Sequence, residues 1–342
     1  YMTGKGGGGA FVLLYLLFLV MLGLPIMTME FSIGRAARKS PVLAYQKLEP
    51  TGSKWHIHGI VALIGNYLLM MFYTTVSGWM LHYFYLTVTG KFEGLDSKGV
   101  SDVFEKMLSQ PTIMIFWMVV VVVAGMFIVS RGLEAGLENI TKIVMVTLLV
   151  VMIILAINSF FLKGAAEGLK YYLVPNISRI EETGIGNVIT GAMNQAFFTL
   201  SLGIGAMLIF GSYISNDRSM LGESVTIVIL DTLVAIVSGL IIFPACFSYG
   251  VDPGSGPSGP ALIFITLPNI FNKMPLGRLW GSFFFIFMSF AAFSTVLAVF
   301  ENIVSCGMDL TKKTRKQVSL FNLIVITVLS LPCVLGFGAW AF

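Results

Sequence analysis

The sequence predicts an all-α polytopic membrane protein. Three observations carry this. Of its 342 residues, 56% are hydrophobic and 11% charged, where a soluble domain carries about 25% charged residues. Its mean hydropathy is +0.89. Its apolar residues gather into runs near or above the roughly 20 residues a helix needs to cross a bilayer. None of these runs shows the sustained two-residue alternation of a membrane barrel.

Read in order, the runs give eight expected spans: 8–34, 57–89, 112–130, 139–162, 188–215, 223–249, 278–305 and 318–340. The second and seventh are long enough to tilt. The loop after the first span holds Arg35, Arg38, Lys39, Lys47 and Lys54, and the loop after the seventh holds Lys312, Lys313, Arg315 and Lys316. With eight alternating spans these loops share one side, together with Arg131, Lys142 and Arg218. Basic loops face the cytoplasm, so that side is assigned as cytoplasmic. The opposite loops are longer, and their basic residues are offset by acids such as Glu93, Asp102, Glu167 and Asp252. The outer loop 250–277 joins a Gly/Pro/Ser run to ALIFITL, a stretch too short to span. It is expected to be a lid over a vestibule, with an ordinary loop carrying a buried anchor as the alternative.

The composition excludes several classes. The net charge of +4 comes from these loops and forms no nucleic-acid surface. The three cysteines, Cys246, Cys306 and Cys333, sit in apolar stretches with no metal or disulfide spacing. GKGGGG lacks the spacing and the following Ser or Thr of a P-loop. His56 and His58 do not share a helix face. Asn139 and Asn176 open short glycosylation patterns, the first on the side assigned as cytoplasmic. No nucleophile–base pair is evident, so no enzyme and no organic cofactor are expected.

Polar groups inside spans are costly and are functional candidates. The fifth span reads MNQAFFTLSLGIGAMLIFGSY, with Asn194, Gln195, Thr199 and Ser201 ahead of Gly203 and Gly205. Glycine permits a helix break. The freed backbone groups are tolerated in a membrane where they line a cavity, and carbonyls there coordinate Na⁺. The same glycines equally serve close helix packing. Asp231, in TIVILDTLVAIV, is an acid in mid-span that must meet a cation, a donor or a proton. Ser294 and Thr295 place adjacent hydroxyls beside Ala291 and Ala292, and hard oxygens suit such cations. Back-bonding to a carbonyl one turn earlier is the alternative. Tyr73 offers a phenol in LLMMFYTTVSGW, as a cavity group or as packing.

Taken together, these segments resemble the neurotransmitter:sodium symporter family, in particular its bacterial amino-acid transporters. NQAFFTLSLGIGAM is similar to that family's sixth-helix motif, and GGGGAF followed by GLPIMTMEFSIGR to the ends of its second helix. RGLEAGLENITK resembles the turn into the fifth helix, and GPALIFITLP the fourth outer loop. The resemblance implies a single transporter domain over 1–342 with inverted repeats of five helices and a discontinuous sixth helix. It also implies truncation at both ends: the inner half of the first helix and the last three of twelve helices are expected to be missing.

Site residues carry over by resemblance alone. Tyr73 matches a tyrosine on the substrate carboxylate, and Leu69 and Val299 match pocket walls. Phe198 matches the aromatic that closes over the substrate, while Ser201, Gly203 and Ile204 fall on the unwound segment. Thr199 and Asp231 match a first sodium site, and Ala291, Ser294 and Thr295 a second. Gln195 matches an outer-vestibule residue, and Tyr213 and Asp309 match members of the cytoplasmic gate. Asp231 stands where many members have Asn, and Ala235 where chloride-dependent relatives have Ser. Chloride-independent transport is therefore expected. Val146 stands where several bacterial members have a proline ten residues after the glycine matched by Gly136, which argues against unwinding of the fifth helix. The implied activity is uptake of a hydrophobic amino acid, aliphatic or aromatic, with two Na⁺, by alternating access in the plasma (inner) membrane. The partners are the amino acid, Na⁺ and lipid. A non-transporting sensor and an ion channel of the same fold stand as alternatives. Neither the oligomeric state nor the particular amino acid follows from these residues.

Overall fold

The computed structural model describes residues 2–132, 138–248, 250, 262–337 and 340. The Gly/Pro/Ser run expected in the lid, Gly136, and the side chains of Asn139 and Thr141 lie outside the described residues. Where it is described, the chain is helical, with one isolated bridge between Gly8 and Pro175.

The first long helix, α1 (Gly9–Ala37), is interrupted by a wide turn at Leu19–Gly23. Pro25 follows immediately and has no amide to donate to that turn. A short helix, α2 (Pro41–Leu48), leads into α3 (His56–Val88). At 33 residues, α3 is about 50 Å long, more than the roughly 30 Å hydrocarbon core. The next helix, α4 (Ser97–Leu108), is capped by Asp96, whose carboxylate accepts from the Gly99 amide at 2.8 Å. Then come α5 (Pro111–Ser130) and α6 (Glu138–Phe160), followed by α7 (Ala165–Leu173), which folds back from α6 through 116°. A short α8 (Ile177–Thr183) precedes α9 (Ile185–Thr199) and α10 (Ala206–Tyr213), which share the one span expected over 188–215. After them run α11 (Met220–Ser248), the short α12 (Leu267–Lys273), α13 (Gly277–Thr311) and α14 (Arg315–Gly336).

Among the described residues, six helices are long and apolar enough to cross a membrane: α1, α3, α5, α11, α13 and α14. They keep large apolar side chains on the outside, such as Leu13, Leu17, Val20 and Met21 on α1, as expected for helices facing lipid.

Two packed groups meet at the middle of the chain. In the larger, α3 lies along α13, and α5 and α14 close around both. Its core holds Trp79, Tyr83, Met118, Phe264, Phe285 and Phe300. In the smaller, α9 and α10 both pack on α1. Gly34 and Gly211 let α1 and α10 approach closely, since a Cβ on either would strike the facing backbone at Leu208 or Phe31. The break between α9 and α10 is thus held against α1 on one side and faces α3 and α13 on the other.

Candidate functional site

The break is built from local backbone chemistry. At the end of α9 the Ser201 amide bonds the Phe198 carbonyl at 3.1 Å, and the Leu202 amide bonds the Phe197 carbonyl at 3.1 Å. Ser201 (φ 52), Gly203 (φ 84) and Gly205 (φ 78) all adopt left-handed backbone, which glycine enters without strain. Helix resumes where the Ile209 amide reaches the Gly205 carbonyl at 3.0 Å. Gly205 has a second reason to lack a side chain, because a Cβ there would lie 2.6 Å from Cγ of Pro41.

Two of the freed peptide groups are paired from three helices. The Gly203 amide donates to Oε1 of Glu30 at 2.7 Å. The Ile204 carbonyl accepts from Nδ2 of Asn66 at 2.7 Å and from Nδ2 of Asn302 at 3.0 Å. A bilayer offers no water for these groups, so side chains from α1, α3 and α13 supply the partners.

Beside the break lies a cavity of about 640 Å³, within the usual range for small-molecule sites of roughly 300–1,000 Å³. One part of its wall is polar, with Tyr73, Gln195, Thr199, Ser201, Asp231 and Thr295. The rest is apolar, with Leu69, Val76, Phe198, Ile204, Met288 and Ala291. Phe198 is 64% exposed, so its ring stands free at the wall. Asp231 is half-buried. Thr199 donates to its carboxylate, with contacts of 3.1 Å to Oδ1 and 2.9 Å to Oδ2, and Tyr15 donates to Oδ2 at 3.3 Å. Behind this pair is a second cavity of about 310 Å³, lined by Tyr15, Gln195, Thr199 and Ala235 among others.

Most of the residues singled out from the sequence share the larger cavity: Leu69, Tyr73, Gln195, Phe198, Thr199, Ser201, Ile204, Asp231, Ala291 and Thr295. Besides the two gate residues, three lie apart from its lining. Val299 is buried in the α3–α13 core at 1% exposure. Gly203 contributes backbone to the break. Ser294 donates to the Ala291 carbonyl at 2.8 Å, so its proton is occupied while its oxygen keeps lone pairs for a cation. Ala292, its neighbour, does line the cavity.

The two expected gate residues occupy separate contacts. Asp309 accepts from the Ser40 amide at 2.9 Å and pairs with Lys39 at 3.6 Å. Tyr213 donates to Oε1 of Glu301 at 2.8 Å, and Arg315 grips the Glu301 carboxylate at 2.6 and 2.9 Å. Sequence reasoning missed Tyr15, Glu30, Asn66, Glu301 and Asn302. Glu30 and Glu301 carried a signal, since each is an acid inside a long apolar run. The two asparagines and Tyr15 carried none that separates them from packing residues.

The model of the sodium:neurotransmitter symporter family matches residues 1–95 and 96–342. A sodium-dependent transporter of Bacillus subtilis (strain 168), YhdH, is 32% identical over 338 residues, covering 99% of this chain and 73% of the relative. A sodium-dependent transporter of Haemophilus influenzae is 27% identical over 351 residues, covering 99% of this chain and 75% of the relative. The crystal structure of MhsT in complex with L-phenylalanine superposes with a TM-score of 0.90 at 39% identity, covering 99% of this chain and 75% of that one.

Proposed function

We propose that this chain, which belongs to the sodium:neurotransmitter symporter family, couples the inward movement of Na⁺ to import of a hydrophobic amino acid. Sodium dependence and membrane transport, as opposed to enzymatic catalysis, come with the family. The substrate class, the number of ions and the location in the plasma membrane are our reading.

The observation that carries it is the pairing of a broken helix with Asp231 across one cavity. The Asp231 carboxylate and the Thr199 hydroxyl are hard oxygen donors suited to a first Na⁺. The Ala291 carbonyl, Ser294 and Thr295 lie together on α13 and suit a second. Tyr73 lines the same cavity, which supports its reading as the donor to a substrate carboxylate. Leu69, Val76, Phe198, Ile204 and Met288 give the apolar wall that favours an aliphatic or aromatic side chain. MhsT, 39% identical, was crystallised with phenylalanine, which agrees with that chemistry.

In this mechanism Na⁺ binds first and orders the break, and substrate then draws Phe198 over the cavity. Closure outside is followed by opening inside, where Asp309 and Lys39 part. Each charge crossing 100 mV supplies about 2.3 kcal/mol. Two ions therefore supply about 4.6 kcal/mol, enough for accumulation of roughly a thousandfold. Asp231 carries the negative charge that a chloride ion supplies in chloride-dependent relatives, and Ala235 lacks the hydroxyl such an ion needs. We therefore assign chloride-independent coupling.

The test is a binding screen of the common amino acids against the intact protein with and without Na⁺, followed by uptake into vesicles. Na⁺-dependent binding of apolar amino acids and their accumulation are expected. Binding without accumulation identifies a sensor, and binding of none of them overturns the substrate class.

A further inference from the structure

Ile204 poses a physical problem. It forms part of the cavity wall, yet it stands between two glycines in left-handed backbone, Gly203 and Gly205. A residue so flanked has little intrinsic constraint on where its side chain points. A pocket that discriminates by size needs a wall held in place, because size discrimination rests on rigid packing.

The structure holds this wall from behind. The Ile204 carbonyl is gripped by two amides from different helices, Asn66 on α3 and Asn302 on α13, at 2.7 and 3.0 Å. Both asparagines are 0% exposed, and neither lines the cavity. Asn66 also donates to the Ala62 carbonyl of its own helix at 2.7 Å, which fixes the direction of its amide. Its Oδ1 is buried with no hydrogen-bond partner. Burying an unpaired amide oxygen is costly, so a leucine would serve packing better at this position. The residue is explained by what its N–H groups hold.

We propose that Asn66 and Asn302 are specificity-determining positioning residues. By clamping the Ile204 carbonyl they set how far the Ile204 side chain reaches into the cavity, and so the largest amino-acid side chain admitted. Neither touches substrate; both act through Ile204. The inference rests on the reading that this cavity binds an amino acid.

The experiment measures Na⁺-dependent binding of phenylalanine, leucine and alanine to the intact protein. The variants are Asn66→Leu, Asn302→Leu, Asn66→Ser and Asn302→Ser, each made singly so that the other clamp remains. The phenylalanine-to-alanine affinity ratio is expected to change by about tenfold, the equivalent of one hydrogen bond. A merely structural role would lower all three affinities together and leave the ratio alone. In an Ile204→Ala background the same substitutions are expected to leave the ratio within about twofold, because the wall they position is gone.

An unchanged ratio in every folded variant overturns the proposal. So does a shift of the same size in the Ile204→Ala background, and so does the failure of all four variants to fold, which would assign the asparagines to stability. Wild-type protein that binds no amino acid overturns the substrate reading and this inference with it. Wild-type binding with unchanged ratios overturns this inference alone.

Discussion

Replacing Asp231 by asparagine removes a charge and almost nothing else. The side chains are the same size, and the amide oxygen still accepts from Thr199, which sits 2.9–3.1 Å from the carboxylate oxygens. What is lost is attraction for a cation. At about 4 Å and an effective dielectric of about 20, a unit pair attracts by roughly 4 kcal/mol. Asp231 is half-buried at the cavity wall, so water screens part of this. A loss of about 2 kcal/mol remains, or about a thirtyfold rise in the Na⁺ concentration that half-saturates substrate binding. The assay is a Na⁺ titration of amino-acid binding in chloride and in gluconate. Wild type is expected to give the same curve in both. Asp231→Asn is expected to shift about thirtyfold, and adding Ala235→Ser is expected to recover part of the loss in chloride only. Wild-type binding that requires chloride, with Asp231→Asn leaving that requirement unchanged, would refute the reasoning.

Three further outcomes follow from particular contacts. Gly205→Ala places a Cβ 2.6 Å from Pro41 at a φ of 78. About 2 kcal/mol of strain is expected from the left-handed backbone and the clash, read as weaker Na⁺-dependent binding, with Gly205→Ser no better. Glu301→Gln leaves Arg315 without the carboxylate it grips at 2.6 and 2.9 Å. The charge left unpaired is that of Arg315, whose side chain is 22% exposed, so a destabilisation of about 2 kcal/mol is expected, seen as a lower thermal unfolding midpoint in detergent. Tyr15→Phe removes one long hydrogen bond to Asp231, at 3.3 Å. A loss of no more than about 1 kcal/mol is expected, or about a fivefold rise in half-saturating Na⁺; a loss as large as that of Asp231→Asn would show that the phenol itself contributes to the ion site.

Rough helix position was legible because a bilayer imposes a strict length of apolar sequence, although against eight expected spans six helices reach spanning length among the described residues, or seven with the bent pair. The expected span 57–89 is α3 at His56–Val88, and 112–130 is α5 at Pro111–Ser130. Errors fell at the ends, where polar residues continue a helix past the apolar run. The seventh span was expected to stop at 305, yet α13 runs on to Thr311 through Asp309. The fourth span was expected to reach 162, and its helix turns sharply into α7 after Phe160.

The site divides along the same line. The sequence alone offered Gly203 and Gly205 two uses, a helix break or close helix packing, of which its resemblance to the family's sixth-helix motif selected the break. It also marked Asp231, because an acid in mid-span needs a partner wherever it sits. What it left open was which groups meet. Asn66, Asn302 and Glu30 are 138, 98 and 173 residues from the peptide groups they pair, and no local pattern links residues so far apart. Only packing α1, α3 and α13 around the break decides that Ile204 is held from two sides and that Val299 lies behind the wall. The physical reason is that burial in lipid is written residue by residue, whereas a hydrogen bond between helices exists only once both helices have found their places.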